Sequence, residues 1–191
     1  MINRMRIGRR APILLLMALA VVATIALADA IFVYTGYINV KPMTTPLVFS
    51  TGPNGNAQPY ISFTVSPNYD SFTVTLEIAN STASYYYQVG QLTVNMAGYI
   101  YVNSINLSGS AVNTMTIYIQ STSGSTQCTF QVISGGSTAT TPSTSCPLNA
   151  GNTYYISIKV VPNLPVTSSS IETVTVQFGY NVVGNTVVPV P

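Results

Sequence analysis

Side chains able to carry proton or metal chemistry are scarce in this chain. Its 191 residues include no His, six Lys and Arg together, and four Asp and Glu. General acid–base catalysis needs titratable groups held against a substrate. Beyond residue 30 the only carboxylates are Asp70, Glu77 and Glu172. Asp70 and Glu77 lie seven apart, so on one regular strand they would face opposite sides of a sheet. Ser and Thr abound but lack a candidate base to activate them. Two Cys with scattered carboxylates make no metal-ligand pattern. The sequence therefore points away from an enzyme, a cofactor or a metal site, and the carboxylates read as ordinary surface groups.

Three other constellations carry chemistry of a milder kind. Cys128 and Cys146 are the only cysteines. In an exported chain such a pair reads as a disulfide, closing a loop of about 19 residues and contributing about 3 kcal/mol by chain entropy. The sharper reading is two bonds between subunits, but the hydroxyl-rich character of the intervening loop favours a local staple. Asn80-Ser81-Thr82 and Asn106-Leu107-Ser108 match the N-glycosylation pattern, so Asn80 and Asn106 are candidate sites for N-linked glycans. The plainer reading is that each Asn is a turn residue. Tyr85-Tyr86-Tyr87 and Tyr154-Tyr155 have the amphipathic rings of a sugar platform, though such clusters more often serve as core on one face and subunit contact on the other.

The segment that has to position all of these begins after a leader. Arg4, Arg6, Arg9 and Arg10 precede an uncharged apolar run from Ala11 to Ala28. Ala28-Asp29-Ala30 then has the small-x-small form of a signal cleavage site, with Ala28 and Ala30 as its small residues. Residues 1–30 are expected to be a cleaved signal peptide, with membrane contact only during export. Cleavage after Ala30 would expose Ile-Phe-Val-Tyr-Thr-Gly-Tyr-Ile-Asn-Val, residues 31–40, as the new terminus. As a strand it is apolar on both faces, with Phe32, Tyr34 and Ile38 on one and Ile31, Val33 and Tyr37 on the other. Val40 closes it before Lys41-Pro42, where Pro lacks a ladder donor. A strand apolar on both faces needs cover on both. It is expected to leave its own domain and complete the sheet of a neighbouring copy. Burial of about six apolar side chains would offer roughly 10–15 kcal/mol before entropy costs. Donor and acceptor surfaces differ, so the contact would propagate head to tail. The competing reading is an ordinary strand within its own sheet.

The rest of the chain reads as antiparallel β structure. Residues 43–59 hold a short strand at Leu47–Phe49 and a Pro/Gly/Asn spacer. From residue 60 to 191 the pattern has period two: Ile61, Phe63 and Val65, then Phe72, Val74, Leu76 and Ile78. Further strands are expected over Tyr85–Met96, Tyr99–Leu107, Met115–Ile119, Cys128–Val132, Tyr154–Val161 and Glu172–Val182, with a polar loop from Ser134 to Ser145. No stretch after residue 30 has a helical period. The expected fold is all-β, an antiparallel, jelly-roll-like β-sandwich. Removing 1–30 from 191 residues leaves 161, enough for one such domain.

Charge composition bounds the partners. Beyond residue 30, Lys41 and Lys159 stand against three carboxylates, a net charge of −1. That provides no basic footprint for nucleic acid. It also provides little self-repulsion, which suits self-association.

The leader joined to Ile31–Val40 and Lys41-Pro42, the Tyr85–Val94 segment, the Leu148–Ile156 turn-to-strand and the alternating Val174-Val176-Phe178-Tyr180 strand together resemble the archaeal bundling pili and thread subunits. These are related to bacterial biofilm matrix fibre proteins of the TasA/camelysin type. The resemblance implies an extracellular, non-enzymatic filament subunit, with Ile31–Val40 inserted into the next subunit and filaments bundling laterally in biofilm. The cysteine pair has no counterpart in that resemblance. Two rivals stand beside it. One is a type IV pilin-like adhesive subunit, cut near Ala11 and keeping a long N-terminal helix. The other is a secreted β module that binds glycan.

Overall fold

The computed structural model describes residues 12–14, 16–17, 35–167 and 172–187. The chain divides into two units, Met1–Pro42 and Met43–Pro191. In the first, residues 12–14 and 16–17 are helical, and residues 35–42 carry no regular secondary structure. Among the described residues no helix is long and apolar enough to cross a membrane. The expected cleavage residues Ala28 and Ala30, and Ile31, Phe32, Val33 and Tyr34 of the expected donor strand, lie outside the described residues.

The second unit is all-β, with its strands paired antiparallel. In chain order the strands are β1 (Leu47–Thr51), β2 (Ile61–Val65), β3 (Phe72–Leu76), β4 (Ser84–Val94), β5 (Gly98–Gly109), β6 (Val112–Ser121), β7 (Thr126–Ser134), β8 (Ser137–Thr138), β9 (Cys146–Leu148), β10 (Thr153–Pro162) and β11 (Glu172–Asn181). They form a six-stranded sheet ordered β1-β4-β10-β6-β7-β8, a three-stranded sheet β11-β5-β9 and the hairpin β2-β3. Among the described residues every pairing is antiparallel.

Period-two sequence puts the apolar side chains on one face of each strand. Ile61 and Phe63 of β2, Leu92 and Val94 of β4, Ile117 and Ile119 of β6, and Ile156, Ile158 and Val160 of β10 meet in a single buried cluster. Ile100 and Val102 of β5 and Leu148 of β9, from the three-stranded sheet, belong to the same cluster.

One irregularity shapes this core. Gly90 of β4 pairs with Ile156 of β10, and Tyr86 with Ile158, so β4 carries extra residues in a bulge. Gln88, at the bulge, has φ of 53°. Its N–H donates to Ser157 Oγ at 2.9 Å, and Ser157 donates in turn to Gln120 Oε1 at 2.6 Å. Ser157 and Gln120 are both buried, so this chain satisfies polar groups that would otherwise destabilise the core. The bulge also holds the loop before β2: Gly52 N–H donates to Val89 O and Asn54 Nδ2 to Tyr87 O. A Cβ at Gly90 would lie 2.6 Å from the Phe63 ring, so glycine there lets the hairpin approach β4.

Two expectations about loops are corrected. Ser134–Ser145 is not simply a polar loop. Ser134 ends β7, Ser137–Thr138 is a short edge strand, and Ser143 exchanges hydrogen bonds with Val102, N–H to O at 2.9 Å and N–H to Oγ at 2.9 Å. Asn106 is not in a turn but within β5, opposite Thr175.

Candidate functional site

A groove of about 1320 Å³ has β3 and β11 as its walls. Phe72, Val74 and Leu76 line one wall and Val174, Val176 and Phe178 the other. All six are half-buried, the alternate residue at each step being exposed or nearly so. The floor comes from the six-stranded sheet, where Ile117, Ile158 and Val160 are nearly inaccessible. An apolar trough of this size is the kind of surface that partners occupy.

Both walls are free strand edges. Among the described residues β3 pairs with β2 alone and β11 with β5 alone. Each therefore turns a row of backbone N–H and C=O groups towards the groove. Natural edges are usually blunted by Lys, Pro or a bulge. Neither Phe72–Leu76 nor Thr173–Asn181 contains a Lys or Pro, and among the described residues the one irregularity is a register shift of β11 against β5 between Gln177 and Phe178. The two edges run in opposite directions. Phe72, at the start of β3, packs near Phe178 late in β11, with ring centroids 6.4 Å apart. Asn80, just past β3, is bonded to Val166 ahead of β11.

An acidic residue stands at each end of the groove. Glu172 Oε2 accepts from Ala111 N–H at 2.8 Å and from Val112 N–H at 3.3 Å, tying the β5–β6 turn to β11. Asp70 accepts from Ser66 Oγ at 2.6 Å and Ser71 Oγ at 3.1 Å. The Ser66 hydroxyl, and after it that of Ser71, holds the Asp70 carboxyl below its ordinary range. Tyr180 closes the Asp70 end, donating to Met96 O at 2.7 Å, and burial pushes its hydroxyl up. Among the described residues no three His, Cys, Asp or Glu side chains gather into a metal-binding cluster.

The residues singled out from sequence fall as follows. Tyr37, Ile38 and Val40 are 89, 91 and 90% exposed, unusual for large apolar side chains. Cys128 and Cys146 are bonded to each other within the chain, Cα–Cα 5.9 Å, which selects the local staple. It joins β7 to β9 and thereby the six-stranded sheet to the three-stranded one. Asn80 has its side-chain amide committed: Nδ2 donates to Val166 O at 3.1 Å and Oδ1 accepts from Val166 N–H at 2.6 Å. Asn106 is exposed on β5. Of the tyrosines, Tyr86 and Tyr154 are core, whereas Tyr85 and Tyr87 are exposed and join Tyr118 in a ring cluster with centroids 6.1 Å apart.

Sequence reasoning implied an acceptor groove but did not say which strands would form it. Its walls were legible as half-buried strands, but alternation looks the same whether the strand beside them is present or missing. The chain matches no protein-family model, and no curated protein matches it.

Proposed function

We propose that the protein is the structural subunit of an extracellular filament and that it polymerises by strand donation. Residues 31–40 of one copy enter the groove between β3 and β11 of the next. There they complete the second layer of a β-sandwich, joining β2-β3 to β11-β5-β9 across the gap. One observation carries this reading. A groove with a free strand edge on either side occurs in a chain that also holds an apolar segment, Tyr37 to Val40, turned out to solvent. Each feature is costly alone and each satisfies the other: the edges need hydrogen-bond partners and the segment needs burial. The sequence resemblance to bundling pili and biofilm fibre subunits supports the same assignment. So does the leader, which would deliver the chain to the cell exterior. Lateral bundling follows from a surface with so few charges.

The test is assembly of the secreted chain, followed by negative-stain microscopy. Fibres that vanish when residues 31–40 are deleted support the reading. Fibres that persist without them overturn it.

The glycan-binding alternative keeps one supporting observation, the exposed Tyr85–Tyr87–Tyr118 cluster. Loss of glycan retention on alanine substitution of Tyr85 and Tyr118, in a chain that forms no fibre, would favour it.

A further inference from the structure

We infer that the entering segment of the second copy lies with Gly36 over the Phe49–Phe72–Phe178 cluster and runs antiparallel to β11 and parallel to β3. This rests on the strand-donation reading and adds the direction and register of the inserted strand.

Gly36 is the starting point. A Cβ there would meet nothing within 4 Å, and its φ is not in the left-handed region. Nothing among the described residues therefore asks for glycine, and glycine weakens a strand. A glycine within a strand often marks a site of close approach by another group. The groove has one such place. Two strands with one missing between them stand about 9–10 Å apart. The Phe72 and Phe178 rings have centroids 6.4 Å apart, and Phe49 lies 5.1 Å from the first and 6.4 Å from the second. The rings therefore fill the space beneath the missing strand at that point. An inserted residue there has no room for an inward side chain.

With Gly36 fixed, parity assigns the faces. Phe32, Tyr34, Ile38 and Val40 share the Gly36 side, and none of them is charged or an amide. Ile31, Val33, Thr35, Tyr37, Asn39 and Lys41 are on the other side and face away from the rings, so this face holds every polar side chain of the segment except the Tyr34 hydroxyl. Two observations then choose the direction. Running antiparallel to β11 gives the stronger ladder on the longer edge, ten residues against five in β3. The same direction seats Ile38 between Val74 and Val176 and Val40 between Leu76 and Val174. It also brings outward-facing Lys41, the one charge near the segment, beside the exposed Glu77, which follows directly on β3. In this register residues 36–40 lie along the Phe72–Leu76 wall, Tyr34 comes opposite Tyr180 at the Asp70 end, and Phe32 extends beyond it; the reverse direction instead takes Val40 and Lys41 past Asp70 and out of the groove.

Cysteine cross-linking of full-length assembled subunits tests this. The outward residue of the acceptor is Thr75, exposed on β3. Mixed subunits carrying Thr75→Cys and Asn39→Cys should form a reducible dimer that neither variant forms alone. A dimer from Thr75→Cys with Val33→Cys instead overturns the direction. If neither pair links in fibres that still depend on residues 31–40, the register is overturned while strand donation stands. If the parent chain forms no fibre, strand donation itself fails. Gly36→Val gives a second readout. It should raise the concentration needed for assembly about tenfold or more by overpacking the ring cluster. The melting temperature of the unassembled subunit should not change. Assembly at the parental concentration would overturn the placement of Gly36.

Discussion

Strands β10 and β11 are both ten residues long and both alternate Val or Ile with polar residues, yet they end up in different states. β10 lies between β4 and β6, and its Ile156, Ile158 and Val160 are 2, 3 and 1% exposed. β11 has β5 on one side and the groove on the other, and Val174 and Val176 stay half-buried. The difference lies in the number of neighbours and not in the strand's own residues. A core built from one palette of side chains is closed around β10 and open beside β11. Openness on this scale, with no charge in the middle of either edge, is what the proposed strand donation would close.

That contrast can be broken at several points. The largest effect is expected from deleting residues 31–40. It should abolish fibres outright and leave a secreted, aggregation-prone subunit, as read by microscopy and sedimentation, because the groove then has no occupant. Next comes the closed side. Phe63 is 1% exposed and stacks on Phe72 at 4.7 Å, so Phe63→Ala should cost about 3–5 kcal/mol in denaturant unfolding. Ile156→Ala, at 2% exposure, should cost about 2–5 kcal/mol.

The counterpart on the open side is Val176→Ala. In the unassembled subunit it should cost about 1 kcal/mol or less, since the side chain is already half-wet. In assembled fibres its cost should rise towards that of Ile156→Ala, measured as fibre melting. Equal costs in both states would mean the groove stays empty in the fibre.

The smallest effect concerns acid. Asp70 is fully exposed, and the hydroxyls of Ser66 and Ser71 lower its folded-state pKa. Its contribution to stability is present above the unfolded carboxylate value of about 4 and fades as pH falls through the lower folded value. Ser66→Ala should move the Asp70 titration, followed by NMR, upward towards that ordinary value. Stability at neutral pH should hardly change. An unmoved titration would mean that Ser66 is not the dominant cause.

Much of the β architecture could be read from alternation. Ile61, Phe63 and Val65 were expected on one face, and Ile61 and Phe63 are buried while Ser62 and Thr64 are not. What alternation could not supply was structure made by backbone alone. β8 and β9 are short, and β9 contains a Pro, so neither leaves a side-chain signature. The bulge at Gln88 was also hidden, because the partners that stabilise it, Ser157 and Gln120, are 69 and 32 residues away in sequence. The two glycosylation motifs looked alike in one dimension. In the fold Asn80 has its amide bonded to Val166, while Asn106 faces solvent.

By itself the sequence determined a nearly charge-free, β-forming chain with one cysteine pair and a segment at 31–40 that is apolar on both faces. These are properties of residue type and of nearest-neighbour spacing, so they are legible without a fold. Tertiary structure alone decided that β3 and β11 would flank a groove instead of pairing with each other. It alone also brought Phe49, Phe72 and Phe178 together at one point along that groove. The physical reason is that a strand's period specifies which face it buries, whereas its edge is satisfied by whichever backbone the rest of the chain, or another chain, brings alongside.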